Sequence, residues 1–171
     1  MGRRLLTISF VCLMSFISSS CSFFSSSDSG AYSKSRDYFN ALEKNIPSPW
    51  EQVNSEGADF AINNKKTSST FLINSSCRKN EQSSLNALSS SLLNGIEQIN
   101  IITKNSISYE DREAQEIRFS GKVDGVSTYI NIMTVQKNYC IYDFVLISKN
   151  PKKLENDYKF FQSFLEKVKI P

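Results

Sequence analysis

The stretch Gln115-Glu116-Ile117-Arg118-Phe119-Ser120-Gly121-Lys122-Val123-Asp124-Gly125-Val126-Ser127 carries the pattern that decides the fold. Side chains alternate along a strand, so Ile117 and Phe119 fall on one face and Glu116 and Arg118 on the other. Asp124-Gly125 then supplies two residues that tolerate positive φ, as both central positions of a type I′ hairpin turn require. An antiparallel hairpin is therefore predicted here.

Working outward, residues 102–109 precede this hairpin with the same two-residue period. Residues 127–135 and 140–148 continue it as strands around a turn at Gln136 to Asn138. Asn150-Pro151 reads as a helix start, a cap followed by a first-turn proline. Leu154, Tyr158, Phe161, Leu165 and Val168 then recur at steps of four and three. Toward the N-terminus, residues 58–62 and 70–73 form a strand pair about the polar turn 63–69. Ser83 or Ser84 caps a second helix whose stripe is Leu85, Leu88, Leu92, Ile96 and Ile99. Residues 37–46 place Tyr38, Leu42 and Ile46 at helical spacing, stopped by Pro47 and Pro49, though an extended lead-in fits equally. Strands, a helix, hairpin-linked strands and a final helix predict an α+β domain, mainly antiparallel, with helices on the sheet faces.

The 171 residues hold 20 Lys plus Arg, 17 Asp plus Glu and no histidine. The missing histidines exclude Ser-His-Asp triads, Cys-His dyads and imidazole zinc sites. Arg3 and Arg4 open a basic segment followed by an apolar run from Leu5 to Ile17. At 1.5 Å per residue that run reaches about 20 Å, short of the roughly 30 Å of a bilayer core. Residues 1–20 therefore read as an export signal. Without its two arginines the chain carries 18 bases against 17 acids, a net +1 that gives no electrostatic case for nucleic acid.

Ser18-Ser19-Ser20-Cys21 resembles a bacterial lipobox. The resemblance implies cleavage between Ser20 and Cys21, diacylglycerol on the Cys21 thiol, a fatty acyl group such as palmitate on its amine, and a membrane anchor. The small residues Ser18 and Ser20 also suit ordinary secretory cleavage. Cys12 leaves with the signal, so lipidation at Cys21 makes Cys77 and Cys140 an even pair in an oxidising compartment. A bridge between them closes a loop of about 60 residues, worth roughly 4 kcal/mol on the chain-entropy account. Two buried free thiols are the other reading. Residues 21–36, dominated by serine, read as a flexible tether, leaving 37–171 as a single α+β domain.

Trp50, Gly57-Ala58-Asp59-Phe60, Asn74-Ser75-Ser76-Cys77, Arg112-Glu113-Ala114, Gly121-Lys122-Val123-Asp124-Gly125 and Cys140-Ile141-Tyr142-Asp143 follow one another in an order that resembles small bacterial lipoproteins of unassigned function. Those are similar to the PsbP-type α/β/α sandwich. The resemblance spans about residues 38–171 and implies that fold, with a Cys77–Cys140 bridge in the sheet region. It implies no catalytic residue, and fold alone does not carry photosystem binding.

Glu110, Asp111, Glu113 and Glu116 are the densest carboxylates. On a strand, Asp111 and Glu113 share a face, which admits a paired-carboxylate hydrolase; a solvated turn with Arg112 as counter-ion is the plainer reading. Trp50, Tyr139, Tyr142, Phe160 and Phe161 are either core aromatics or the floor of a ligand cleft. Lys149, Lys152 and Lys153 crowd a helix start, where the dipole disfavours cations. No metal set, phosphate loop or cofactor motif stands out, since glycine occurs at only six positions. The expectation is a non-catalytic envelope lipoprotein without cofactor or metal, anchored in the outer membrane facing the periplasm, its domain binding a protein partner or supporting an envelope assembly. A secreted, soluble periplasmic or anchored small-ligand binder is the alternative, with the hydrolase behind it.

Overall fold

Alternating apolar residues build seven strands: β1 (Trp50–Gln52), β2 (Phe60–Asn64), β3 (Thr70–Cys77), β4 (Glu97–Tyr109), β5 (Arg112–Val123), β6 (Val126–Lys137) and β7 (Cys140–Ser148). Helix α1 (Leu85–Ser91) lies between β3 and β4, and α2 (Pro151–Leu165) follows β7. The computed structural model describes Phe39, Leu42 and residues 46–77 and 83–171. The signal at 1–20, the processing site Ser20/Cys21, the tether at 21–36 and most of the 37–46 segment lie outside the described residues.

The strands form one sheet in the order β1-β2-β3-β7-β6-β5-β4, every neighbouring pair antiparallel. Two meanders, β1-β2-β3 and β4-β5-β6-β7, are thus joined along the single seam between β3 and β7. The seam runs from Thr70 opposite Ile147 to Cys77 opposite Cys140, and it ends in a disulfide between those two cysteines.

One sheet face packs against α2. Phe60, Ile62, Phe71, Ile73, Met133, Val135, Tyr142, Phe144 and Leu146 meet Leu154, Phe161, Phe164 and Leu165 there in the main core. Phe71 stands edge-on to Phe161 and Phe164 at 5.5 and 5.2 Å, an arrangement that suits the ring quadrupoles. Helix α2 begins as the sequence predicts. The Asn150 side chain accepts from the Lys152 and Lys153 amides at 2.9 and 3.3 Å, and Pro151 gives up no hydrogen bond at the first position. The opposite face holds a smaller core of Ile117, Phe119, Ile130 and Ile132, covered by Leu92, Leu93 and Ile96 just beyond α1. The result is an α/β/α arrangement with helices on both sides of an antiparallel sheet.

Helix α1 is shorter than its predicted stripe. It is capped by Ser84 as expected, but it stops at Ser91 and tightens into successive turns through Asn94. Gly95 at φ +84° then turns the backbone out of helical space. Ile96 therefore packs from a loop, and Ile99 belongs to β4 and is exposed. Strand β4 starts five residues earlier than predicted, and β1 was not anticipated. The turn placed at 136–138 is instead the two-residue pair Asn138-Tyr139, both at positive φ. Of the 37–46 segment, Leu42 and Ile46 pack on the main core as their spacing suggests, while Phe39 is fully buried.

Candidate functional site

The four clustered carboxylates are sent in different directions. Glu110 and Asp111 form the β4–β5 turn, both at positive φ. The alternation that would pair Asp111 with Glu113 on one strand face therefore does not apply. Glu110 faces the C-terminal segment, with the Lys137 and Lys169 amines at 3.5 and 3.6 Å. Glu113 accepts from the Ser106 hydroxyl at 2.8 Å. Glu116 is buried under α2, where it accepts from the Tyr158 hydroxyl at 2.7 Å and the Asn131 amide at 3.2 Å.

These contacts make a latch between β5, β6 and α2. The Arg118 guanidinium lies 4.6 Å from the Tyr158 ring centroid and pairs with Glu155. Burial, reinforced by Glu116, pushes the Tyr158 hydroxyl up to about 12. Glu116 and Arg118 were legible as one face of β5; that α2 covers this polar face was not.

On the smaller-core face, Asp143 of β7 accepts from the Thr134 hydroxyl at 2.8 Å. Burial pushes its carboxyl up to about 6, with the Thr134 donor pulling the other way. Of the aromatic candidates, Phe161 and Tyr142 are core. Trp50 is buried, stacked on Phe160 at 4.4 Å and 17°. Tyr139 stands exposed at the β6–β7 turn. Lys149 and Lys152 are solvated, and Lys153 is half-buried. Among the described residues no group of three or more His, Cys, Asp or Glu is placed to hold a metal ion. Nor is any helix there long and apolar enough to cross a membrane.

The feature that stands out is an apolar corner. Six large hydrophobic side chains among the described residues are exposed, and five of them lie on three adjacent strands, Ile99, Ile101 and Ile102 in the first half of β4 and Val123 and Val126 flanking the β5–β6 turn. The register explains the clustering. Ile101 lies opposite Phe119, Val123 opposite Val126, and Glu97 opposite Lys122. Gly121 lets the chain cross: a Cβ there would stand 2.5 Å from the Ile96 side chain and 3.8 Å from the Ile99 backbone. Ile101, Val123 and Val126 thus extend the smaller core past the cover supplied by α1. Among the described residues strand β4 is also an outer strand with one side of its ladder unpaired, and its register shifts twice, between Glu97 and Asn100 and between Ile101 and Thr103. On the other side of the β5–β6 hairpin, Ser120, Lys122, Ser127 and Tyr129 help line a polar depression of about 130 Å³. Sequence reading missed this corner because Ile99 was absorbed into a helical stripe; the signal was the run Ile99, Ile101, Ile102 directly after Asn94-Gly95.

No family model matches the chain, and no curated protein does. Solved structures do. The fold is similar to that of cyanobacterial PsbP, CyanoP, from Synechocystis, at TM-score 0.54 and 9% identity over 74% of this chain and 84% of that one. It is similar also to PA94, a Pseudomonas aeruginosa protein of unknown function, at TM-score 0.53 and 11% identity over 74% of this chain and 89% of that one. The fold is thus PsbP-like, as the sequence resemblance implied. At these identities the likeness concerns the fold alone.

Proposed function

We propose that the chain is a lipid-anchored protein of the bacterial envelope whose PsbP-like domain binds a protein partner and does no chemistry of its own. The observation that carries the partner reading is the corner of β4, β5 and β6. Exposed apolar side chains gathered in one place, beside unpaired strand backbone, are costly to leave in water and mark interaction surfaces. The anchor reading rests on the lipobox-like Ser18-Ser19-Ser20-Cys21 after an apolar run.

One preparation tests both parts. The full chain, carrying a photo-crosslinking residue in place of Ile101 or of the exposed Lys159 on α2, is expressed in the organism of origin and its envelope extracted. The intact mass is expected to be that of a chain starting at Cys21 with diacylglycerol and acyl groups added. The Ile101 position is expected to give one discrete adduct that Lys159 does not. The captured protein, purified, is expected to bind the native chain and to lose about tenfold or more in affinity when Ile101→Asp is introduced. An unlipidated soluble chain overturns the anchor; adducts alike at the two positions, or binding indifferent to Ile101→Asp, overturn the partner surface.

A further inference from the structure

The last turns of α2 carry a cavity that neither the latch nor the apolar corner uses. It is about 250 Å³ and lies between Leu42 and Pro47 on one side and, on the other, Phe160, Ser163 and Phe164 of α2 with Lys167 and Val168 just beyond the helix. Steps of three and four place Phe160, Ser163 and Phe164 on one side of that helix. Its wall is rigid where it is aromatic. Phe160 is fixed from behind by Trp50, stacked at 4.4 Å, and lies 5.6 Å from Phe164.

The polar groups define what would fit. Lys167, like most of the described lysines, makes no ion pair among the described residues, so its amine is open to an anion. Among the described residues the Ser163 hydroxyl bonds only the Phe160 carbonyl, at 2.9 Å, and it can turn from it toward a ligand. The negative end of the helix is largely spent. The Phe164 carbonyl accepts from the Lys167 and Val168 amides, and the Leu165 carbonyl from the Val168 amide and the Tyr109 hydroxyl. Among the described residues, what remains is a hollow with an apolar wall of Leu42, Pro47, Phe160, Phe164 and Val168 and, beside it, one ammonium and one hydroxyl.

We infer that this cavity binds a small amphipathic carboxylate, its hydrocarbon part against Phe160, Phe164, Leu42 and Val168 and its anionic group on the Lys167 amine. One cation and one hydroxyl suit a single carboxylate and fall short of the several donors a phosphate ester demands. The volume lies below the roughly 300–1,000 Å³ of sites for drug-sized ligands, so the acid is short-chained or single-ringed. This site lies apart from the partner surface and does not depend on it.

Trp50 is the chain's one tryptophan, so it reports on the cavity through Phe160 without any assay of activity. The full chain, as purified from its host, is titrated with hexanoate, hexanol and hexylamine while Trp50 fluorescence is followed. Hexanoate is expected to give a saturable change, with hexylamine binding at least tenfold more weakly. Lys167→Met is expected to weaken hexanoate about tenfold, the loss of one charge-assisted hydrogen bond, and to leave hexanol unchanged. Ser163→Leu, which fills the hollow, is expected to abolish both. Lys167 and Ser163 are exposed, so the variants are expected to keep the native urea midpoint. No saturable change with hexanoate in the native chain, or hexanoate binding that ignores Lys167→Met, overturns the inference.

Discussion

Asp143 sets a pH dependence of its own. Its folded pKa, about 6, stands above the ordinary 3.8 because burial penalises the charged carboxylate. A raised folded pKa favours the native state fully below the unfolded value, and that advantage is lost as pH rises through the folded one. Native stability is therefore expected to fall between about pH 4 and pH 6, by at most about 3 kcal/mol. Asp143→Asn is expected to flatten this interval and raise stability at pH 7, read from urea midpoints at pH 4.5 and 7. Asp157 acts differently. Its two oxygens accept from the Asn64 amide at 2.9 Å and the Thr67 hydroxyl at 2.6 Å, tying the middle of α2 to the β2–β3 turn. Asp157→Ala leaves both donors without their carboxylate and is expected to cost about 2–3 kcal/mol at unchanged m.

The three hairpins that join β4 to β7 all turn on two residues at positive φ: Glu110-Asp111, Asp124-Gly125 and Asn138-Tyr139. Only one of the six is glycine, so the other turns hold side chains in a backbone region that disfavours them. Asp111→Gly is expected to stabilise by about 0.5–1 kcal/mol, a rise of a few degrees in Tm by thermal melt. This also shows what was legible. Asp124-Gly125 announced its turn; Asn138-Tyr139 did not, because tyrosine in that position is a concession to the register of the flanking strands. Strand β7 and the start of α2 were readable from period and cap. Helix α1 was overextended, since its stripe continued through Gly95 into isoleucines that belong to a strand. Of the candidate site, Glu116 and Arg118 were visible as a polar face. Their partners Tyr158 and Asn131, and the corner built by Gly121, depend on register and packing that local pattern does not encode.

At the scale of the molecule, the sheet is two meanders held by one seam, and the disulfide sits at its end, Cys77 and Cys140 being 63 residues apart. Replacing both cysteines by serine is expected to lower stability by about 2–4 kcal/mol in urea while leaving the strand order intact, since the other seven register pairs of the seam and the aromatic cover from α2 remain. Coincident circular dichroism spectra of the two proteins before unfolding check the second part. Nothing in the seam needs the apolar corner, which lies at the opposite edge of the sheet from β1. Surface substitutions there are therefore expected to cost the fold little.

The seam also dictates an order of events during synthesis. The first meander has β3 as its inner strand, and the neighbour of β3 is β7, which begins only at Cys140. Until then β3 has an open edge, and Phe60 and Phe71 lack Phe161 and Phe164, which come later still. A ribosome that stalls before β7 thus releases a sticky half-sheet whose Cys77 lacks its partner, whereas one that stalls after α2 releases a nearly finished one. The last thirty residues are where this chain becomes safe to leave alone.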